Sequence, residues 1–431
     1  MRFLLLTPGT GHFYCGSCLR ANAPPRELGR PGHEGHVAPL YLPHFVEDEA
    51  TSIKDSAVHM GGINMYLQQK SRLAKRLPRF IENFFDRPSL LRFAAKRGSM
   101  TEAADLGDML LSMLRGEHGQ QSKEVAKLAA WIASVEPPDV IVLSNIMLVG
   151  VVRALKSVTD AKIVVTLQGE QPFIDALGAE HRDAAWATLR ERVREVDLLL
   201  PVSRTYGELM RERLGPEAPP MRVVLNGLDV DDFSQEPPRL AARRPRSIGY
   251  LARMCREKGL HTLVEAYCLL RTERRFDDLQ LEVVGVCLRE DEDFVASLRQ
   301  RLERQGLLDK VSFAGNVDRA HKLAFLARIQ VLSVPATYGE SFGLYLLEAM
   351  ASGVPVVEPR HGAFPELIAA TGGGLLCEPD DATSLARGLA TLLDDAVQAQ
   401  ALADRGRAAV HANFTASFMT RSFVEACQAV N

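Results

Sequence analysis

The sequence predicts an α/β protein of two domains, each a doubly wound parallel sheet, and three observations carry that reading. Short apolar runs alternate with helix-period stretches along most of the chain. The alternation pauses at Ser234 to Pro245, a Pro- and Arg-rich segment with the composition of a linker, and then restarts. At 431 residues, 46% hydrophobic and 24% charged, the chain has material for two well-filled cores.

Composition narrows the function. A formal net charge of −3 gives no global argument for nucleic acid. No apolar run reaches the ~18 residues of a spanning helix. Met1 to Leu6 is too short for a signal-peptide core and runs into Pro8-Gly9, so it reads as a first buried strand. The seven cysteines, at 15, 18, 255, 268, 287, 377 and 427, form no framework, which suggests a reducing cytoplasm.

In the first half, strands are expected at Arg2–Leu6, His36–Tyr41, Asp139–Leu143, Lys162–Leu167, Asp197–Pro201 and Arg222–Leu225. Functional groups in such sheets gather at the carboxyl ends of the strands. The loop after the first strand, Pro8-Gly9-Thr10-Gly11-His12, has the glycines for a close approach to a ligand, and His12 is a possible donor to it. Cys15-x-x-Cys18 lacks a second ligand pair for zinc and reads as packing or ligand contact. Residues 47–134 show little strand signal and read as a helical elaboration. Within them, 68–98 holds nine Lys or Arg and interleaved Phe80, Phe84, Phe85 and Phe93. Such a stretch suits either peripheral contact with an anionic membrane or an ordinary amphipathic helix with solvated charges. Gln168-Gly169-Glu170 follows the fourth strand and offers Gln168 and Glu170 to an acceptor, or else serves as loop and cap chemistry. Asn226-Gly227-Leu228-Asp229 is a turn closing this half.

In the second half, strands are expected at Ser247–Leu251, Leu279–Gly285, Lys310–Ala314, Ile329–Val334, Val354–Val357 and Gly373–Cys377. The first is followed by Arg253-Met254-Cys255-Arg256-Glu257-Lys258-Gly259, whose Arg253 and Lys258 suit a diphosphate, or a solvated basic turn. Gly315-Asn316-Val317 ends the third, where backbone groups are placed for a nucleotide base. The most informative stretch follows the fourth: Tyr338-Gly339-Glu340-Ser341-Phe342-Gly343-Leu344, then a helix to Ser352 carrying Glu348. A strand, a Gly-rich loop and a helix N-terminus make an anion site. Glu340 and Glu348 beside it suit a ligand with hydroxyls as well as phosphates, which is a sugar nucleotide. Helices at Ala382–Asp394 and Thr415–Ala429 complete the chain.

Taken together, the first Gly-rich loop, Asn226-Gly227-Leu228-Asp229, Arg253 with Glu257-Lys258-Gly259, Glu340-x7-Glu348 running into Ala349-Met350-Ala351-Ser352-Gly353-Val354-Pro355, and Pro365-Glu366 resemble glycosyltransferase family 4. Tyr14-Cys15-Gly16-Ser17-Cys18 and Gly61-Gly62-Ile63-Asn64 resemble a bacterial subgroup of that family. The resemblance implies a GT-B fold, two Rossmann-like domains facing across a cleft: 1–236 on the acceptor side, 237–410 for the nucleotide sugar, and 411–431 as a helix returning to the first. It implies a retaining, metal-independent hexosyl transfer. The donor is UDP-, GDP- or ADP-linked. The acceptor is a carbohydrate, lipid or small molecule, and no cofactor beyond the nucleotide sugar is involved. It also implies roles. Arg253 and Lys258 hold the diphosphate, Glu348 the ribose and Glu340 the donor sugar. Phe342, Gly343, Leu344, Gly315, Gly11 and His12 line the donor. Asp229-x-Asp231 and Asp291-x-Asp293 resemble metal-binding pairs but read as a turn and a helix start. The chain departs from the family at Gly11-His12, at Gln168-Gly169-Glu170, and at Pro24, Pro25 and Pro31.

Competing readings are a same-fold sugar-nucleotide epimerase or hydrolase, a non-catalytic nucleotide-sugar-binding protein, and a dinucleotide-dependent oxidoreductase. The last lacks an acid placed for a ribose at the end of the second strand, where Tyr41-Leu42-Pro43 stands. A cytoplasmic protein is expected, peripheral to the inner membrane face if 68–98 binds lipid.

Overall fold

The computed structural model describes residues 1–8, 33–40, 103–233, 236–243 and 245–430. The loop carrying Gly11 and His12, Cys15 and Cys18, prolines 24, 25 and 31, and the basic stretch 68–98 lie outside them.

The chain forms two compact units: Met1–Leu225 with Ala416–Asn431, and Asn226–Thr415. In the first, β1 (Arg2–Thr7), β2 (Glu34–Pro39), β3 (Val140–Leu143), β4 (Lys162–Leu167) and β5 (Leu198–Pro201) form a parallel sheet in the order β2-β1-β3-β4-β5. The order reverses between β1 and β3. Strands β3 and β5 are buried along their whole length, and the reason is legible in Val-Ile-Val-Leu and Leu-Leu-Leu-Pro. Helices α1 (Ala103–Leu114), α2 (Ser122–Ser134), α3 (Val152–Lys156), α4 (Gln171–Asp175), α5 (Ala179–Arg192) and α6 (Arg204–Leu214) accompany the sheet.

The second unit has six parallel strands: β6 (Ser247–Leu251), β7 (Gln280–Gly285), β8 (Val311–Gly315), β9 (Val331–Leu332), β10 (Val356–Pro359) and β11 (Gly374–Cys377), in the order β11-β10-β9-β6-β7-β8. Its switch point lies between β6 and β9, the position at which doubly wound sheets bind ligands. Its helices are α7 (Leu260–Leu270), α8 (Glu292–Arg304), α9 (Arg319–Arg328), α10 (Leu344–Ala351), α11 (Phe364–Thr371), α12 (Ala382–Asp394) and α13 (Ala396–Asn413).

The last helix, α14 (Ala416–Gln428), belongs to the first unit. Its Met419, Phe423, Ala426 and Cys427 join Phe3, Leu5, Val142, Val164 and Leu200 in one buried cluster, with the Phe3 and Phe423 rings 5.5 Å apart. Burying an aromatic of this kind contributes ~2–3 kcal/mol, enough to hold the chain terminus on the sheet. The chain passes between units at two adjacent places, 225–226 and 415–416, which Leu228 N–H ties together through its bond to Phe414 O at 2.8 Å.

Four expected strands come out differently, among them Val354–Val357, which lies two residues later as Val356–Pro359. Arg222–Leu225 does not form a sixth strand: the segment is held to β5 by one bridge, Leu199 to Met221, and by Val224 N–H to Pro201 O at 3.0 Å; Pro201 has no N–H to donate back and complete the next bridge. The second strand is Glu34–Pro39, two residues earlier than expected, in register with β1 from Arg2↔Glu34. Its polar residues sit at the sheet edge, where a buried apolar face is not required. The run Ile329–Val334 keeps only Val331–Leu332 as strand. Both Glu358 carboxyl oxygens accept from Val334 N–H, at 3.1 and 3.3 Å, so a side chain of β10 replaces the next ladder bond and the chain is released into a loop.

Candidate active site

The two loops flanking the switch point of the second unit carry the predicted donor residues. The loop after β6 turns at Gly259, whose φ is +69° and whose missing Cβ would lie 1.7 Å from Pro335 O. A side chain there would separate the two loops, and Thr337 N–H to Glu257 O at 2.9 Å closes them further. Lys258, at the end of the first loop, is thereby delivered to Glu340 in the second.

Lys258 and Glu340 form an ion pair, Nζ to Oε2. Nζ also donates to Tyr338 OH at 2.6 Å and lies 5.0 and 5.8 Å from the centres of the Tyr338 and Tyr345 rings. Both phenols reach Glu340 Oε2 at 3.3 Å. One carboxylate oxygen therefore takes three donors, while Oε1 has no hydrogen bond among the described residues. Burial acts to lower the Lys258 pKa, but the Glu340 charge and the Tyr338 hydroxyl outweigh it, and the ammonium is held above its ordinary value. Burial, then the Glu340 charge, pushes the Tyr338 phenol up to about 12, and Tyr345 is raised by the same causes. The phenols are thus donors at neutral pH.

Glu348 lies one turn into α10 and is buried. Its Oε1 accepts from Lys322 Nζ of α9 at 2.6 Å. Phe342 is buried. Gly343, left-handed at φ +92°, is the N-cap of α10 and brings no side chain to its first-turn N–H groups, Leu344 among them. Ala363 N–H to Glu340 O at 2.9 Å fixes the loop from the β10 side.

Arg253 is paired with Asp291, Nε at 2.7 Å and Nη2 at 3.2 Å, and with Glu290. Its Nη1 has no hydrogen bond among the described residues. Asp291 is thus the partner of Arg253, and Asp229 accepts from Asp231 N–H at 3.3 Å, a turn contact. Among the described residues there is no group of three or more His, Cys, Asp or Glu that would hold a metal ion. Gly315 ends the edge strand β8 in register with Gly285, with Asn316 N–H on Gly285 O at 3.3 Å.

In the first unit, Gln168 and Glu170 are turned inward. Glu170 is buried and accepts from Gln168 N–H at 2.8 Å, Gly169 N–H at 2.9 Å, Tyr206 OH at 3.0 Å and Ile146 N–H at 3.4 Å. Gln168 Nε2 donates to Ser144 O and Thr166 Oγ1. These groups bind the loops after β3 and β4 together; their polarity in sequence did not tell which way they point. Four residues of the second unit escaped the sequence: Tyr338, Tyr345, Lys322 and Glu358. Only Glu358 left a trace, as an acid inside the apolar run Val354–Pro359.

Comparison with known proteins fits this geometry. Residues 232–409 match the family model of glycosyl transferases group 1, and residues 87–227 that of a glycosyl transferase 4-like domain. Both halves of the chain thus match glycosyltransferase models. It is 31% identical over 226 residues to glycogen synthase of Mycobacterium tuberculosis, covering 52% of this chain and 51% of that one. It is 35% identical over 190 residues to phosphatidyl-myo-inositol mannosyltransferase of Mycobacterium leprae, covering 43% and 48%. The chain thus spans about half the length of these relatives. Among solved structures, the glycosyltransferase fold recurs in sucrose-phosphate synthase from Thermosynechococcus elongatus, with TM-score 0.72, 18% identity and coverage of 100% and 99%. It recurs also in HepE of Anabaena in complex with UDP, with TM-score 0.68, 19% identity and full coverage of both chains. Among the described residues no helix is long and apolar enough to cross a membrane.

Proposed function

We propose that the protein moves a sugar from a nucleotide-sugar donor to an acceptor hydroxyl with retention of anomeric configuration. The observation that carries this reading is the junction of Lys258 and Glu340 at the switch point of the second sheet. A phosphate-binding cation and a hydroxyl-binding carboxylate share one oxygen, and each keeps unused capacity. An ammonium has three N–H groups; Lys258 spends two, on Tyr338 and Glu340. Its third, with Arg253 Nη1, is available to a diphosphate. Glu340 Oε1 is available to a sugar hydroxyl, and Glu348 to a ribose. HepE, of the same fold, is known with UDP-glucose, which supports a nucleotide sugar here.

In the reaction, the acceptor oxygen bonds to the anomeric carbon on the face from which the phosphate leaves. The bond from that carbon to the phosphate oxygen breaks, and the acceptor proton passes to the departing oxygen. Negative charge grows on the diphosphate, and Lys258 and Arg253 stabilise it without moving. The residues need no metal ion to perform these steps.

The test is calorimetric and thermal-shift screening with UDP-glucose, GDP-mannose and ADP-glucose, followed by NMR of the product's anomeric configuration. A donor at about 100-fold its Kd should stabilise the protein by about 2.7 kcal/mol. An inverted product would remove the retaining reading; stable binding with isomerised or hydrolysed sugar and no transfer would favour an epimerase or hydrolase.

A further inference from the structure

We propose that Tyr338 and Tyr345 are positioning residues that aim Glu340 at the donor sugar and lock it to Lys258, so that sugar and diphosphate are read by one rigid unit. The inference rests on the functional reading above and deepens it: it names the groups that set sugar recognition.

Three features of the geometry support it. First, the donors are distributed unevenly. Lys258 Nζ, Tyr338 OH and Tyr345 OH all meet Oε2 of Glu340, and Oε1 has no hydrogen bond among the described residues. A carboxylate pinned through one oxygen loses its rotational freedom, and its other oxygen points in a fixed direction. The entropy of ordering Glu340 is then spent on folding and not on binding sugar. Second, the two phenols do different work. Tyr338 OH accepts from Lys258 at 2.6 Å and passes its own proton towards Glu340, so it links cation and anion. Among the described residues Tyr345 OH reaches only Glu340, and Tyr345 sits on the first turn of α10, so it ties the carboxylate to the helix that carries Glu348. The ring of Tyr345 is itself braced by Phe364, 6.5 Å away at 63°. Third, the two rings lie beside the ammonium, within cation–π range, and hold it where its third N–H is the one left for a phosphate.

A preorganised Glu340 affects sugar more than nucleotide. In this reading the nucleotide rests on Glu348, Arg253 and Lys258, whereas the Tyr345 hydroxyl meets Glu340. Removing that hydroxyl while keeping its ring leaves packing intact and frees the carboxylate.

The experiment uses the full chain with UDP and UDP-glucose as probes, and with GDP/GDP-mannose or ADP/ADP-glucose if the screen selects that base. Tyr345→Phe is expected to weaken binding of the sugar nucleotide about tenfold, the scale of one hydrogen bond to a charged group, with binding of the bare nucleotide unchanged. In turnover, kcat falls while KM for the acceptor stays. Tyr338→Phe should weaken both probes, because it also loosens Lys258. Thermal unfolding at the wild-type temperature shows that Tyr345→Phe folds normally; if it does not, Tyr345→His, which restores a polar edge, should recover part of the sugar discrimination. The proposal is overturned if Tyr345→Phe binds both probes as the wild type does, or loses both equally. If the wild-type protein binds none of the nucleotides or nucleotide sugars, the functional reading itself fails, and the proposal with it.

Discussion

Glu170 and Glu340 stand at equivalent places in the two units: each follows the carboxyl end of a central parallel strand, and each has a tyrosine hydroxyl on it. Their states differ. In Glu170 both oxygens are occupied, by three backbone N–H groups and Tyr206. Burial raises its pKa in spite of those donors. In Glu340 one oxygen takes three donors and the other none among the described residues. A carboxylate satisfied by its own protein organises loops. A carboxylate left half satisfied, with a cation alongside, is built to receive something. The contrast separates two acids at strand ends by their unused hydrogen-bonding capacity, and that capacity is what makes Glu340 the candidate.

The comparison is most directly broken at Glu340. Glu340→Ala should reduce turnover about 10³-fold, the scale of losing a preorganised charge at a reacting centre, while bare-nucleotide binding survives. Full turnover in this variant would remove Glu340 from the chemistry. Glu170→Ala should do the reverse. It strands buried N–H groups and the Tyr206 hydroxyl at ~1–3 kcal/mol each, so unfolding in urea should show a loss of about 3 kcal/mol with nucleotide affinity unchanged. If Glu170→Ala keeps its stability and loses transfer instead, Glu170 meets the acceptor after all. Smaller in effect is Lys322→Met. Lys322 neutralises the buried Glu348 at 2.6 Å; without it the carboxylate bears its desolvation alone, and UDP affinity should change by about tenfold. No change by calorimetry would show that Glu348 and its partner lie away from the nucleotide.

Both sheets and the donor loops were legible because they are written locally, whereas the change of unit falls at 225–226, ahead of the Pro- and Arg-rich segment Ser234 to Pro245. An apolar run, a glycine turn and an amphipathic helix each occupy adjacent residues, so periodicity finds them. Glu340, Glu348, Lys258 and Arg253 were legible as residue types in the right setting. What stayed hidden depends on pairing across the chain. Nothing near Lys322 says that Glu348, 26 positions on, will meet it. Tyr338 and Tyr345 carry no mark of their contact in sequence, because only the folded loop puts both phenols on one oxygen. Gln168 and Glu170 left two readings open for the opposite reason: polarity at a strand end was visible, but direction was not. The length of β9 was hidden too, since a side chain from β10 ended it.

Glu358, the residue that ends β9, sharpens the comparison from a third position. Like Glu170 it is fully enclosed, yet its one donor among the described residues is Val334 N–H. Burial raises its pKa well above the ordinary 4.5, against the opposing effect of the Val334 N–H; the nearby Glu340 charge raises it further and Lys258 lowers it. The folded protein therefore keeps the Glu358 proton when the unfolded chain has lost it. Above the ordinary carboxylate value the native state binds more protons than the unfolded state, so this group's contribution to stability falls as pH rises. Glutamine has the shape of the neutral acid, offers the same acceptor to Val334 and does not titrate. Glu358→Gln should match the wild type near about pH 4 and become the more stable of the two by about pH 8. The gap should widen steadily as the pH rises across that range. Thermal unfolding of both proteins across that range reads the difference directly, because every other titration is common to them. A gap independent of pH would mean that Glu358 ionises normally in the folded state, and a gap of opposite sign that its charge is paired. Either result would place a charged carboxylate beside Glu340, and the half-satisfied oxygen would then face a site far more hostile to a diphosphate than the geometry implies.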